Sequence, residues 1–176
     1  MGASMFKGIG GAKPRSKQGS YLGKGQYVTR IDNCKTGTSR ENGDFACVEM
    51  TVLVALQEGG EHKVGDEVTV MFMERKVDYF LPEVLEFISI AAGVDIDGAS
   101  DEEKEEAANL VFGGENPLGG TIVEVHGLGR ISKEGNPYVV TQFKQEITPA
   151  DAIEVLDEAT QERFFPNGAL AKMASA

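Results

Sequence analysis

Histidine and cysteine are scarce in this chain, with two of each, and that scarcity removes several chemistries. Cys34 and Cys47 have no C-x-x-C spacing, so a zinc site is not expected. They read as reduced thiols on strands. His62 falls in a charged turn and His126 on a strand face opposite Val123 and Val125. Both positions suit ordinary surface residues better than catalytic bases. No serine stands in a G-x-S-x-G context, and no Cys–His pair is suggested. Without a nucleophile, a base and an oriented partner, the chain is expected not to be an enzyme.

Ligand motifs are equally sparse. Asp95-Ile96-Asp97-Gly98 starts like a calcium loop and then fails at the later ligand positions, so no metal is expected. The glycines of GIGGAK and YLGKG invite a phosphate-loop reading. However, Lys24 is followed by Gly25, and no glycine stands five residues before Gly23. No cofactor is implied. No apolar run approaches the length of a membrane helix, and the N-terminus has no stretch suited to a signal peptide. Position 6 holds phenylalanine where a myristoylation signal needs Ser or Thr. These absences lead to the expectation of a cytoplasmic protein without membrane contact.

What is present is a foldable chain with a polarised charge. Its 176 residues suffice for one compact domain with extensions, and 41% hydrophobic content argues against disorder. Residues 1–40 hold eight basic residues and one acidic residue, a balance of +7. The remainder carries −18, and together they make the net −11. Such a chain presents two surfaces rather than an average, and the basic one can attract phosphates.

Residues 1–24 read as a flexible, basic, glycine-rich arm. Strands are expected over 26–34, 45–56 and 67–73, separated by the polar turns KTGTSRENGD and QEGGEHKVGD. In the second, even positions from Ala46 to Leu56 form an apolar face. The period then changes. Residues 82–92 place apolar side chains at helical spacing, with Pro82 suited to a first turn. A second helix over 102–111 follows, and Ser100 with Glu103 forms a capping box. Strands over 120–131 and 138–145 flank the turn SKEGNP, with Gly127 and Gly129 marking a bulge or bend. A last helix is expected over 150–163.

Three strands, a helical insert and a hairpin give the order of a mainly β, five-stranded Greek-key barrel of the OB type. The barrel domain would span 25–147, with its helical insert at about 82–112 and a C-terminal helix and tail over 148–176.

Barrels of this type bind oligonucleotides on the second and third strands and through two hairpin loops. Single-strand binders need cations along the backbone path and aromatic faces for stacking. The candidate cations are Lys13, Arg15, Lys17 and Lys24 in the arm, Arg30, Lys35 and Arg40 around the first loop, Arg130 and Lys133 around the second, and Lys144. The candidate platforms are Tyr21, Tyr27, Phe45 and Tyr138. Core or rim packing is the competing reading for Tyr27, Phe45 and Tyr138. Glu49 lies on the same face and repels phosphate, so either it pairs with Arg30 across strands or the path runs along the loops. The acidic helix DEEKEEAANL reads as a solvated helix start or as a docking and DNA-mimicking surface.

The chain resembles phage-encoded single-stranded DNA-binding proteins of the OB-fold type. The resemblance covers roughly residues 20–146 and rests on GKGQYVTRIDNCKTG, FACVEMTVLVAL, GDEVTVMF, GTIVEVHG and PYVVTQF. It implies sequence-independent coating of transient single strands in phage DNA replication and recombination, in the host cytoplasm, without catalysis. Many members end in an acidic tail that recruits replication enzymes. Here no acid follows Glu162, and the tail carries Arg163, Phe164, Phe165 and Lys172. The partners implied are single-stranded DNA and replication or recombination proteins, with a homodimer through the tail left open. The alternative is a virion or assembly protein that uses the barrel as scaffold. A further expectation is that Cys34 and Cys47 lie nearly opposite each other on paired strands.

Overall fold

The computed structural model describes residues 20–40, 43–74 and 77–176. They form a mainly β protein built on a six-stranded curled half-barrel sheet with a few helices. The strands are β1 (Ser20–Tyr21), β2 (Gly25–Ser39), β3 (Gly43–Ala55), β4 (Glu67–Met73), β5 (Ile122–Ile131) and β6 (Pro137–Ile147). Their spatial order is β1-β4-β3-β2-β5-β6. All neighbours are antiparallel except β1, which runs parallel to β4. The sixth strand is therefore the root of the arm: Ser20 and Tyr21 pair with Val68 and Thr69 at the sheet edge.

The β2–β3 hairpin is longer than turn chemistry implies. Residues 35–39 and 43–44, expected as a loop, are strand. Thr36 and Thr38 suit a pleated surface, and the Thr38 hydroxyl donates across the ladder to Asp44 Oδ1 at 2.7 Å. This extension also fixes the cysteines. Lys35 stands opposite Cys47, and Cys34 opposite Val48. The two thiols are one position out of register and face opposite sides of the sheet, both buried and free. The expected near-opposition is thus off by one residue.

The sheet carries a buried cluster on each face. On the inner face, Tyr27, Ile31, Val48, Met50, Val70, Phe72, Val123, Val125 and Phe143 form one cluster with the helical insert. Helix α1 (Val77–Ala92) begins five residues before Pro82, which lies inside the helix instead of opening it. Its buried stripe is Val84, Phe87, Ile88 and Ala91. Among the described residues no ladder joins β6 to β4, and α1 spans the opening. The Phe87 ring stands 4.8 Å from Phe143 on β6 and 5.9 Å from Phe72 on β4, centroid to centroid. Helix α2 (Asp101–Phe112) is capped as expected, with the Ser100 hydroxyl and the Glu103 carboxylate exchanging bonds with each other's backbone N–H.

At the other end of the sheet the outer face is buried as well. Val28, Leu53, Ile122 and Ile147 form a second cluster with Ala152, Leu156, Phe165 and Leu170. The C-terminal segment covering them is three short helices: α3 (Pro149–Val155), α4 (Glu158–Phe164) and α5 (Ala169–Ala174). The single helix expected over 150–163 breaks because Leu156 turns extended and Asp157 caps a new start, accepting from the Thr160 N–H at 2.7 Å.

Candidate nucleic-acid interface

The fourteen residues expected to contact nucleic acid fall into separate groups. Lys13, Arg15 and Lys17 lie outside the described residues. The first group within them sits on the outer face of the β2–β3 hairpin. Paired residues of an antiparallel ladder share a face, so Lys35 and Cys47, Gly37 and Phe45, and Asn33 and Glu49 all point outward. From β4, Met71 and Met73 join them opposite Cys47 and Phe45. The Phe45 ring lies against Gly37, where an added Cβ would meet it at 2.5 Å. The Lys35 ammonium is held by Glu49 at 2.5 Å, and this contact raises the Lys35 pKa. Glu49 therefore pairs with Lys35, not with Arg30. The Lys35 and Glu49 charges balance each other here, and Phe45, Met71 and Met73 lie half-buried beside them. Arg40 is exposed at the hairpin turn.

Arg30 is engaged elsewhere. Its Nε donates to Asp32 Oδ1 at 2.8 Å, its Nη1 donates to the Phe164 carbonyl at 3.2 Å, and its guanidinium lies 5.7 and 5.9 Å from the Phe164 and Phe165 rings. It ties the C-terminal helices to β2. Tyr27 is likewise no stacking platform, because it is fully buried. Its hydroxyl donates to the Lys24 carbonyl and accepts from the His62 N–H.

The second assembly is the root of the arm with the β5–β6 hairpin. Residues 22–24, expected to be flexible, are clamped. The Leu22 N–H donates to the Thr69 carbonyl, Gly23 N–H to His62 Nε2 and Lys24 N–H to Glu61 Oε2. Gly25 then turns at φ +135°, a conformation that L side chains rarely adopt. The root also presses on β5: a Cβ at Gly127 would run into the Gly23 carbonyl, so only glycine fits. Two residues on, the Lys24 methylenes lie over Gly129. Successive residues on a strand face opposite sides, so Arg130 points the other way from Gly129 and shares that side with its ladder partner Tyr138. Arg130 and Lys133 are exposed, Tyr138 is half exposed and Tyr21 more so. Among the described residues, Lys24, Arg130 and Lys133 take part in no side-chain ion pair. Lys144 is exposed on β6 where the register slips opposite Glu124 and Val125.

The two hairpins leave opposite ends of β2. The β2–β3 turn lies beyond Ser39, while β5 runs past Gly25 toward its own turn. Among the described residues Lys35 and Arg30 are ion-paired, whereas Lys24, Arg40, Arg130, Lys133 and Lys144 are exposed and take part in no ion pair. Three apolar contributors were not anticipated: the half-buried Met71 and Met73 and the exposed Ile131. The alternation in EVTVMFM, which sets Met71 and Met73 opposite Val70 and Phe72, already carried that signal.

The remaining titratable groups point to structure rather than chemistry. Burial pushes the Cys34 thiol up to about 12, with Cys47 and Glu49 adding to the effect. Burial also raises Cys47, against the opposing pull of Lys35. The Gln145 amide, and then His126, hold Glu124 below its ordinary value. Among the described residues no group of three or more His, Cys, Asp or Glu is placed to hold a metal ion, and no helix is long and apolar enough to cross a membrane. No protein-family model matches the chain, and neither does any curated protein.

Proposed function

We propose that the chain is a sequence-tolerant single-stranded DNA-binding protein on an OB-type sheet, acting in phage DNA replication and recombination. Two features support the fold reading. Five of the six strands run β4-β3-β2-β5-β6, the order of an OB barrel opened along the seam between its third and fifth strands. The helical insert sits between β4 and β5 and spans that seam.

The observation that carries the binding reading is the arm root. Three cations without ion-pair partners, Lys24, Arg130 and Lys133, flank one hairpin whose outer side presents Tyr138. The arm root crosses β5 here, with Gly23 and Lys24 against Gly127 and Gly129. Cations can follow a phosphate chain here while an aromatic face receives bases.

Titration of the full chain with fluorescent oligo-dT tests this. Binding at low salt is expected, with log K falling by roughly 0.7 per phosphate contact against log salt. The triple variant Lys24→Ala, Arg130→Ala, Lys133→Ala should lower that slope by about 2. Tyr138→Ala should cost about 1–3 kcal/mol of binding. Absence of binding at low salt refutes the reading; a slope unchanged in the triple variant refutes this site.

A further inference from the structure

Helices α1 and α2 and the inner side of the β2–β3 hairpin enclose a groove of about 730 Å³. Its trough is apolar, lined by Phe80, Leu81, Val84, Leu85, Ala108 and Phe112. Its rim is acidic: Asp101 and Glu105 edge it, with Lys104 as the one rim cation. Around it, residues 101–106 of α2 carry five acids and that single lysine. Asp101, Glu102, Glu105 and Glu106 are exposed and take part in no ion pair among the described residues. Leu81, at 63% exposure, continues the apolar surface outward. Bulky apolar side chains with lysines beside them would match both features.

We propose that this groove receives the chain's own N-terminal segment, with Met5, Phe6 and Ile9 in the trough and the following cations against α2. Residues 1–19 carry Lys7, Lys13, Arg15 and Lys17 and no acid, so +4 meets the −4 of residues 101–106. The attachment point lies within reach. Ser20 pairs with Val68 on β4, and the groove residue Ala46 stands opposite Phe72, four positions further along that strand and about 13 Å away. Phe6 precedes Ser20 by fourteen residues, a span of up to about 46 Å. That is enough for the chain to double back, and the segment contains Gly8, Gly10, Gly11 and Gly19, a residue type that suits turns. The proposal stands apart from DNA binding and is read without nucleic acid.

The test compares amide spectra of the isotope-labelled full chain with those of the variant Met5→Asp, Phe6→Asp. Both substitutions lie outside the described residues, and unmoved amides in α3–α5 report that the fold is retained. The expected result is a shift of the Leu81, Leu85, Ala108 and Phe112 amides with those of α3–α5 unmoved. In the reverse direction, Asp101→Lys with Glu105→Lys should move the Phe6 and Lys7 amides. Groove amides that ignore the arm substitutions overturn the proposal. Shifts that vanish on dilution also overturn it, because a second copy's arm would then be the occupant.

Discussion

At the scale of the residue, Tyr27 and Cys34 show how far burial decides a side chain's role. Tyr27 stands in a run that also carries exposed cations, yet it is the centre of a knot. Its hydroxyl donates to the Lys24 carbonyl and accepts the His62 N–H, while its ring meets the His62 imidazole edge-on at 5.5 Å. The Gly23 N–H in turn donates to His62 Nε2. Tyr27→Phe keeps the packing and strands both backbone partners, which costs about 1–3 kcal/mol when such groups remain buried. Urea denaturation should show this loss, and an unchanged midpoint would mean that water replaces the hydroxyl. Cys34 makes a different prediction. Its folded pKa of about 12 lies above the ordinary 9.0, chiefly through burial. The neutral thiol is thus favoured in the folded state. The stability it contributes is fully present below pH 9 and drains as pH rises from about 9 toward 12. Stability curves across that range should fall less steeply for Cys34→Ala than for the parent. Equal slopes would assign the alkaline loss to other groups.

At the scale of the element, β3 shows what alternation can and cannot forecast. Ala46, Val48, Met50 and Val52 all enter the inner cluster, as their even spacing requires. The rule then fails, because the ladder slips between Val28 and Thr29. Past that irregularity Leu53 enters the outer cluster, Val54 packs against it, and Leu56 is 44% exposed. A bulge reverses facing without altering local composition, so no periodicity in the strand announces it. The outer cluster makes the C-terminal helices part of the fold. Leu170 on α5 is buried to 2% exposure against β-sheet partners far away in sequence. Leu170→Ala should destabilise the chain by about 2–5 kcal/mol, measurable as a lowered urea midpoint. A cost below about 1 kcal/mol would mean that α5 docks too loosely to count as core.

At the scale of the whole molecule, the charge separation acquires positions. The arm root pairs with the β4 edge through Ser20 and Tyr21 and crosses β5 through Gly23 and Lys24, and the acidic helix α2 borders the groove on the inner side. The outer face is divided between a part covered by α3–α5 and a part left open around Phe45, Met71 and Met73. Arg30 holds the boundary through Asp32 and the two phenylalanines of the tail. The paired phenylalanines near the C-terminus are therefore occupied within the chain. This explains why a cation on a central strand does not amount to an available one.

The sequence by itself determined the elements that local chemistry controls. These are the alternation of β3 and β4, the capping box of α2, the helical period of 84–91, and the gathering of positive charge ahead of residue 40. Each depends on side chains a few positions apart, where spacing and hydrogen-bonding capacity suffice. Only the tertiary structure decided the rest: β1 added at the edge, the slipped cysteine register, the buried Tyr27, the pairing of Lys35 with Glu49, and the cover laid by α3–α5. Those depend on pairings that reach from 12 to 134 residues along the chain, and which distant groups meet is set by how the sheet curls.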